Sequence, residues 1–332
     1  MPRWGMLPAR AAVPYTMAVD LRPLTLGELL DRSFSLYRAH LPKFVVLMLP
    51  FAFVNALLSV VLTVIRTAAS SGGAAPEIMT GVAVPLALMP VLFVTLLIVQ
   101  VIGFAVVTSS ASSAYVGEPA TVRTVIETVR PELGSVIWLA VLVGMRLGAL
   151  FGVGMLGVFG FIALARATIG SLGVIGPALG GAAALGLLAL TMIAVTFVAL
   201  RYSLAIAAWV NESLKASEAL ARSVVLVEGQ MGRAFVIVVF GVVISQIAGL
   251  LLQGPFLIAM IAAGPDTALG YGAAIVGALA ASLASAVAQP LTTVALVVLY
   301  FDARARHEGY DLELMIDAID PAGPASVIAV AE

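Results

Sequence analysis

Six runs of at least twenty mostly apolar residues divide the chain, at 44–65, 82–107, 135–161, 174–200, 235–262 and 272–300. About 20 such residues in a helix cross the hydrocarbon core of a bilayer. Within that core every backbone N–H and C=O must be bonded inside its own segment or within a closed barrel. None of the runs alternates polar and apolar residues with period two, so a barrel is excluded and helices remain. With 62% hydrophobic and only 11% charged residues, against about 25% charged in soluble chains, the sequence carries more apolar surface than a water-soluble fold could bury. The expected class is an all-α membrane protein with six transmembrane helices.

The cations set the orientation. Of the 17 Lys and Arg, Arg3, Arg10, Arg22, Arg32, Arg38 and Lys43 precede the first run, and Arg123 and Arg130 follow the second. Arg201, Lys215, Arg222 and Arg233 follow the fourth, and Arg304 and Arg306 follow the sixth. The opposite loops hold Arg66 and Arg166, while Arg146 falls inside the third run. Because cytoplasmic loops retain Lys and Arg, both termini are expected in the cytoplasm. The outer connections 67–81, with Ser70-Ser71-Gly72-Gly73, and 263–271, with Gly264-Pro265-Asp266, read as tight turns. Residues 1–19, broken by Pro2, Pro8 and Pro14, read as a disordered extension without the apolar core of a signal peptide, and Met17 is a second candidate start. Residues 20–316 form one domain and 317–332 a flexible tail.

A short charged stretch precedes each pair of runs. The copies begin at Leu24, Ala120 and Leu214, offsets of 96 and 94 residues, which predicts a pseudo-threefold repeat of amphipathic helix plus hairpin. In the first copy Thr25 and Glu28 form a capping box and Leu24 with Leu29 a hydrophobic staple. Leu26, Leu29, Leu30, Phe34 and Tyr37 are placed on its apolar face. The third copy sets Leu220, Val224 and Leu226 against Lys215, Glu218 and Arg222. Three cytoplasmic interfacial helices follow from this pattern. They serve either as a docking surface for anionic lipid headgroups or a protein partner, or as a collar sealing the bundle. The acids Asp31, Glu127 and Glu218 among the cations favour the collar.

Three further stretches carry a family likeness: the head Leu21-Arg22-Pro23-Leu24-Thr25-Leu26-Gly27-Glu28-Leu29-Leu30-Asp31-Arg32, the middle Arg201-Tyr202-Ser203-Leu204-Ala205, and the tail from Leu299-Tyr300-Phe301-Asp302-Ala303-Arg304-Ala305-Arg306 to Glu313. From about Leu21 to Leu314 the chain resembles the bacterial membrane domain named after glycerophosphoryl diester phosphodiesterase. The resemblance implies a polytopic helical domain of a bacterial inner membrane, with no catalytic residues of its own to transfer. A catalytic barrel of about 250 residues has no room before Glu332.

Polar residues within the runs are the remaining functional candidates. Arg146 is either a cavity-facing contact for an anion or lipid headgroup, or a side chain that snorkels to the cytoplasmic rim. Arg201, where the fourth run ends, reads as an interfacial anchor. Gln100 and Gln289, 189 residues apart and so close to two repeat periods, join Asn55, Gln246 and Gln253 as polar groups that either line a pocket or bond between helices. Gly144, Gly148 and Gly152, continued by Gly160, and Gly277-Ala281-Ser285 form small-residue stripes for packing within the bundle or between two copies. The runs contain no Asp, Glu or His, and the chain contains no Cys, so proton-coupled pumping, thiolate chemistry and metal or cofactor binding have no candidate groups. No nucleic-acid motif is present. The sequence alone favours a non-enzymatic membrane component that organises or anchors a partner, with links to lipid handling. The alternative is a small-solute or lipid transporter whose path is lined by Arg146, Gln100 and Gln289.

Overall fold

A computed structural model describes residues 24–70, 75–117, 120–167, 175–264 and 267–308. The expected extension 1–19 and tail 317–332 lie outside them. The described residues are helical with no strand: α1 (Leu26–Ser70), α2 (Ala75–Tyr115), α3 (Val122–Val129), α4 (Leu133–Ala167) after a 3-10 turn, α5 (Ile175–Arg201), α6 (Ala205–Glu212), α7 (Ala216–Val227), α8 (Met231–Ala263) and α9 (Ala268–Glu308). Six of the helical stretches are long and apolar enough to cross a membrane. They pack as three neighbouring pairs, α1 with α2, α4 with α5 and α8 with α9. In addition α9 lies along α1, and α2 links this group to α4.

The first charged stretch and the first span form one helix. Thr25 caps it as the sequence predicts: its N–H donates to Glu28 Oε2 at 2.8 Å, and the Glu28 N–H returns to Thr25 Oγ1 at 3.4 Å. The helix bends at His40 (φ −120°, ψ 16°). Pro42 explains the bend, because it lacks an N–H for the Arg38 carbonyl and its ring crowds that carbonyl. The buried face before the bend is Leu29, Ser33 and Tyr37, one residue per turn. Phe34, expected on that face, is 46% exposed. Ser33 can be buried because its hydroxyl donates to the Leu29 carbonyl at 2.6 Å. The Tyr37 hydroxyl donates to the Val287 carbonyl of α9 at 2.6 Å.

Helix α6 has no counterpart in the sequence reading, which ended the fourth run at the rim. The chain turns at Tyr202–Leu204 and buries Ala205, Ala207, Ala208 and Trp209 against the bundle. Ser213 follows in the left-handed region (φ 50°). Helix α3, capped by Thr121, buries Val125 and Val129, and α7 buries Ala219, Leu220, Ser223 and Leu226.

The starts of α1 and α8 and the end of α9 meet in a charged clasp. The Asp302 side chain has no exposed surface. It accepts from the Leu24 N–H at 2.6 Å, from Arg233 at 2.8 Å and from Arg306 at 2.8 Å. Both guanidinium groups also donate to the Leu24 carbonyl, at 3.0 and 2.6 Å. Beside it Glu212 accepts from Arg222 at 2.8 Å and from the Tyr300 hydroxyl at 2.8 Å. Asn211 reaches Ser112 at the end of α2, and the Trp209 indole donates to Ser135 near the start of α4. The largest fully buried side chains, among them Tyr300, Phe44, Leu139, Leu220 and Ile237, lie in this half of the bundle. At the other end α8 and α9 join through a tight turn. Gly264 (φ 87°) permits it, and the Gly264 carbonyl lies where a Cβ on Gly270 would sit.

The outward face is apolar: Phe53, Val153, Leu156, Leu251 and Ile258 are all largely exposed. Such a surface fits a hydrocarbon solvent and is an aggregation liability in water.

Glycine contacts on α4 are selective. A Cβ on Gly154 would overlap Thr191 of α5, and one on Gly157 would crowd Leu187. The stripe picked from sequence lies largely elsewhere. A Cβ on Gly144 would press on Leu97, whereas Gly148 and Gly152 have nothing within 4 Å of that position. Gly154→Leu is therefore expected to lower the thermal midpoint in detergent clearly, and Gly152→Leu to leave it within error. Asp302→Ala removes the acceptor of the Leu24 N–H and of two partly exposed guanidinium groups and is expected to cost about 1–3 kcal/mol in equilibrium unfolding from micelles.

Candidate functional site

Away from the clasp, residues of α1, α2, α8 and α9 line an open cavity of about 560 Å³. Its polar wall begins on α1, where Asn55, Ser59 and Thr63 recur every four residues and so share one face. Helix α9 supplies Gly277, Ala281, Ser282, Ser285 and Gln289, and α8 supplies Gln253 with Phe256 and Met260. Among the described residues α2 contributes Gln100. The stripe Gly277-Ala281-Ser285, read in the sequence as a packing surface, faces this cavity. Gly277 is closely packed there, since a Cβ on it would lie 3.2 Å from the Phe256 Cβ.

Gln100 and Gln289 form the floor. Gln100 Nε2 donates to Gln289 Oε1 at 2.8 Å, and on both α1 and α9 the lining ends at this level. Below them the interior closes into packed apolar side chains, including Phe44, Met48, Val107, Leu291 and Val294. Pro290 follows Gln289 directly and lacks the N–H that the Ala286 carbonyl would otherwise receive, so the α9 backbone is opened by one bond beside the floor.

The hydroxyls of the wall are already committed as donors. Ser59 donates to the Asn55 carbonyl, Thr63 to Ser59, Ser282 to Ala278 and Ser285 to Ser282, all at 2.7–2.9 Å. The Asn55 amide donates to the Phe51 carbonyl at 3.1 Å. These groups therefore present oxygen lone pairs. No charged residue is among the described lining residues. With the amide groups of Asn55, Gln253 and Gln289 beside these oxygens, the wall suits a neutral molecule that carries O–H or N–H donors together with acceptors.

Arg146 is absent from this lining. It donates to the Tyr202 hydroxyl at 2.9 Å, its guanidinium lies 5.3 Å from the centre of that ring, and its side chain is exposed. Tyr202 belongs to the turn after α5, so the arginine reaches the clasp end and not the cavity. Arg201 is also exposed and lies over the Phe197 ring at 5.5 Å. The structure thus brings Gln100 and Gln289 together and separates both arginines from them. Gln246 is exposed on α8 and outside the cavity.

No family model, curated protein or solved structure matches the chain. The site consequently rests on its own geometry. Sequence reasoning missed the hydroxyl contributors Ser59, Thr63 and Ser282. The available signal was the four-residue spacing from Asn55 to Thr63, which a search for charged or amide side chains passes over.

Replacing Gln100 and Gln289 by Leu, singly and together, tests the floor. A double-mutant cycle on stability in micelles is expected to return a coupling of about 0.6–2 kcal/mol, and a value of zero would mean that the two amides act independently.

Proposed function

We propose that the chain is a non-enzymatic, multi-pass protein of a bacterial inner membrane that binds a small uncharged, donor-rich solute in the cavity and passes it across the bilayer. The observation that carries this reading is the cavity itself. Polar side chains within hydrocarbon-spanning helices are functional candidates, and here Asn55, Ser59, Thr63, Gln100, Ser282, Ser285 and Gln289 converge on one space. A polyol is the class that best matches oxygen lone pairs without a nearby charge. The clasp end faces the cytoplasm, following the distribution of Lys and Arg.

The organising role favoured by sequence alone is supported less well. The apolar residues of the first turns of α1, of α3 and of α7 are turned toward the bundle, as in Leu29, Val125 and Leu220. That arrangement suits a collar. The pseudo-threefold repeat remains part of the proposal, each hairpin being preceded by one such helix. The likeness to the phosphodiesterase-associated membrane domain remains part of it too. In its favour, the head and tail stretches that carry it meet in space, Leu24 bonding to Asp302 and Arg306.

The absence of native cysteine permits a direct test. Single cysteines at Ser59 and Ser282 are expected to react with a small hydrophilic maleimide in proteoliposomes, and xylitol is expected to slow them. Leu57→Cys, on the exposed apolar face, should stay unreactive. Proteoliposomes should also swell faster in a xylitol gradient than protein-free ones, and Ala281→Trp should remove the difference. Equal inertness of Ser59→Cys and Leu57→Cys would show that water does not enter the cavity, and the transport reading would fall.

A further inference from the structure

A second concavity, of about 380 Å³, lies at the clasp end between α1, α2 and α3. Val46, Leu47, Pro50 and Phe51 form one wall, Ile102 and Val106 the next, and Val122, Ile126 and Val129 of α3 the roof. Among the described residues that line it, the one charged residue is Arg130. We propose that this groove holds an acyl chain of an anionic glycerophospholipid from the leaflet at the clasp end, with Arg130 gripping the phosphate.

Three observations lead there. The groove is open to the surroundings through Val46 and Ile126, which are 51% and 48% exposed. On a chain with six helices fit to cross a membrane, an exposed apolar wall of this kind is covered by hydrocarbon. The roof is fixed in place, because Lys43 of α1 donates its ammonium to the Ala120 carbonyl just ahead of α3 and Val125 and Val129 are buried beneath it. The groove is therefore a built feature of the fold and does not depend on a loosely attached helix. The charge at its rim is also unsatisfied. Arg123 pairs with Glu127, Arg222 with Glu212, and Arg233 and Arg306 with Asp302, whereas Arg130 makes no ion pair or side-chain hydrogen bond among the described residues. Glu132 is two residues on and exposed, but it does not line the groove. A cation at the head of an apolar slot matches an acidic headgroup followed by a chain, and arginine binds phosphate through paired N–H donors. This inference does not depend on the central cavity.

Native mass spectrometry of the full chain, titrated in detergent with phosphatidylglycerol or phosphatidylcholine of the same acyl chains, tests it. Phosphatidylglycerol is expected to bind the more tightly. Arg130→Ala should weaken it by about fivefold, the effect of one interfacial cation, while Arg123→Ala, two turns away, paired with Glu127 and outside the groove lining, should leave it unchanged. Ile126→Trp and Val46→Trp, which fill the slot from opposite walls, should reduce binding of both lipids, and excess inorganic phosphate should not displace either. Both positions are exposed, and a thermal midpoint near that of the parent confirms that each variant is folded. Equal losses from Arg123→Ala and Arg130→Ala would reduce the effect to diffuse surface charge and overturn the site. Undiminished binding in both folded tryptophan variants would overturn it as well.

Discussion

The carboxylate of Asp302 is buried at the point where the first and last helices of the domain meet, and three donors from three separate segments converge on it. An isolated carboxylate in such a place would be strongly unfavourable, whereas the two arginines are partly exposed and also bond the Leu24 carbonyl. The carboxylate is the member that needs the others in place. Because Leu24 directly precedes α1, Arg233 lies at the start of α8 and Asp302 lies near the end of α9, the cluster holds two helix starts and one helix end together. Their separation farther along, and hence the space between them, is inherited from it.

The two halves of the bundle are built on different principles. Toward the clasp, large side chains fill the interior and aromatic rings stack, as Tyr115 does on Phe301 at 4.7 Å. Toward the hairpin turns the facing positions of α9 are small or hydroxylated, and the helices do not close on each other. Serine and threonine make this possible at low cost, since a hydroxyl that bonds the carbonyl of its own preceding turn keeps its hydrogen satisfied within the helix. The polar wall is therefore compatible with insertion of each helix, and its chemistry emerges only when the helices assemble.

Much of the fold was legible in the sequence because the bilayer imposes a single strong rule. Six apolar runs could be little other than six helices, and the capping box at Thr25 fixed the start of α1 to the residue. The limits were set by tertiary context. Nothing local to Ala205–Glu212 distinguishes a packed helix from a rim segment, and the burial of Trp209 depends on Ser135 and on α2, which are distant in the chain. Phe34 is more apolar than Ser33, yet the register of the Leu29–Tyr37 face places the serine inside. For the site, the pairing of Gln100 with Gln289 was one of two open readings in the sequence, since residue spacing reports equivalence and not contact. Arg146 was ambiguous for a similar reason. Its depth along the run was readable, but its partner, Tyr202 in the turn after α5, was not.

Helix α1 carries one further implication. It runs from the charged cluster to the Asn55–Thr63 wall without interruption, apart from the bend at His40. At 1.5 Å per residue the arm from His40 to Asn55 is about 23 Å long, so pivoting it by about 10° at the bend would carry Asn55 sideways by about 4 Å. The Asn55, Ser59 and Thr63 side-chain bonds lie within α1 and would travel with it, so the displacement would change the width of the chamber and leave those bonds intact. The bent rod is thus a mechanical lever with its fulcrum near Pro42, and force applied where the chain enters the fold has a direct route to the chamber at the far end.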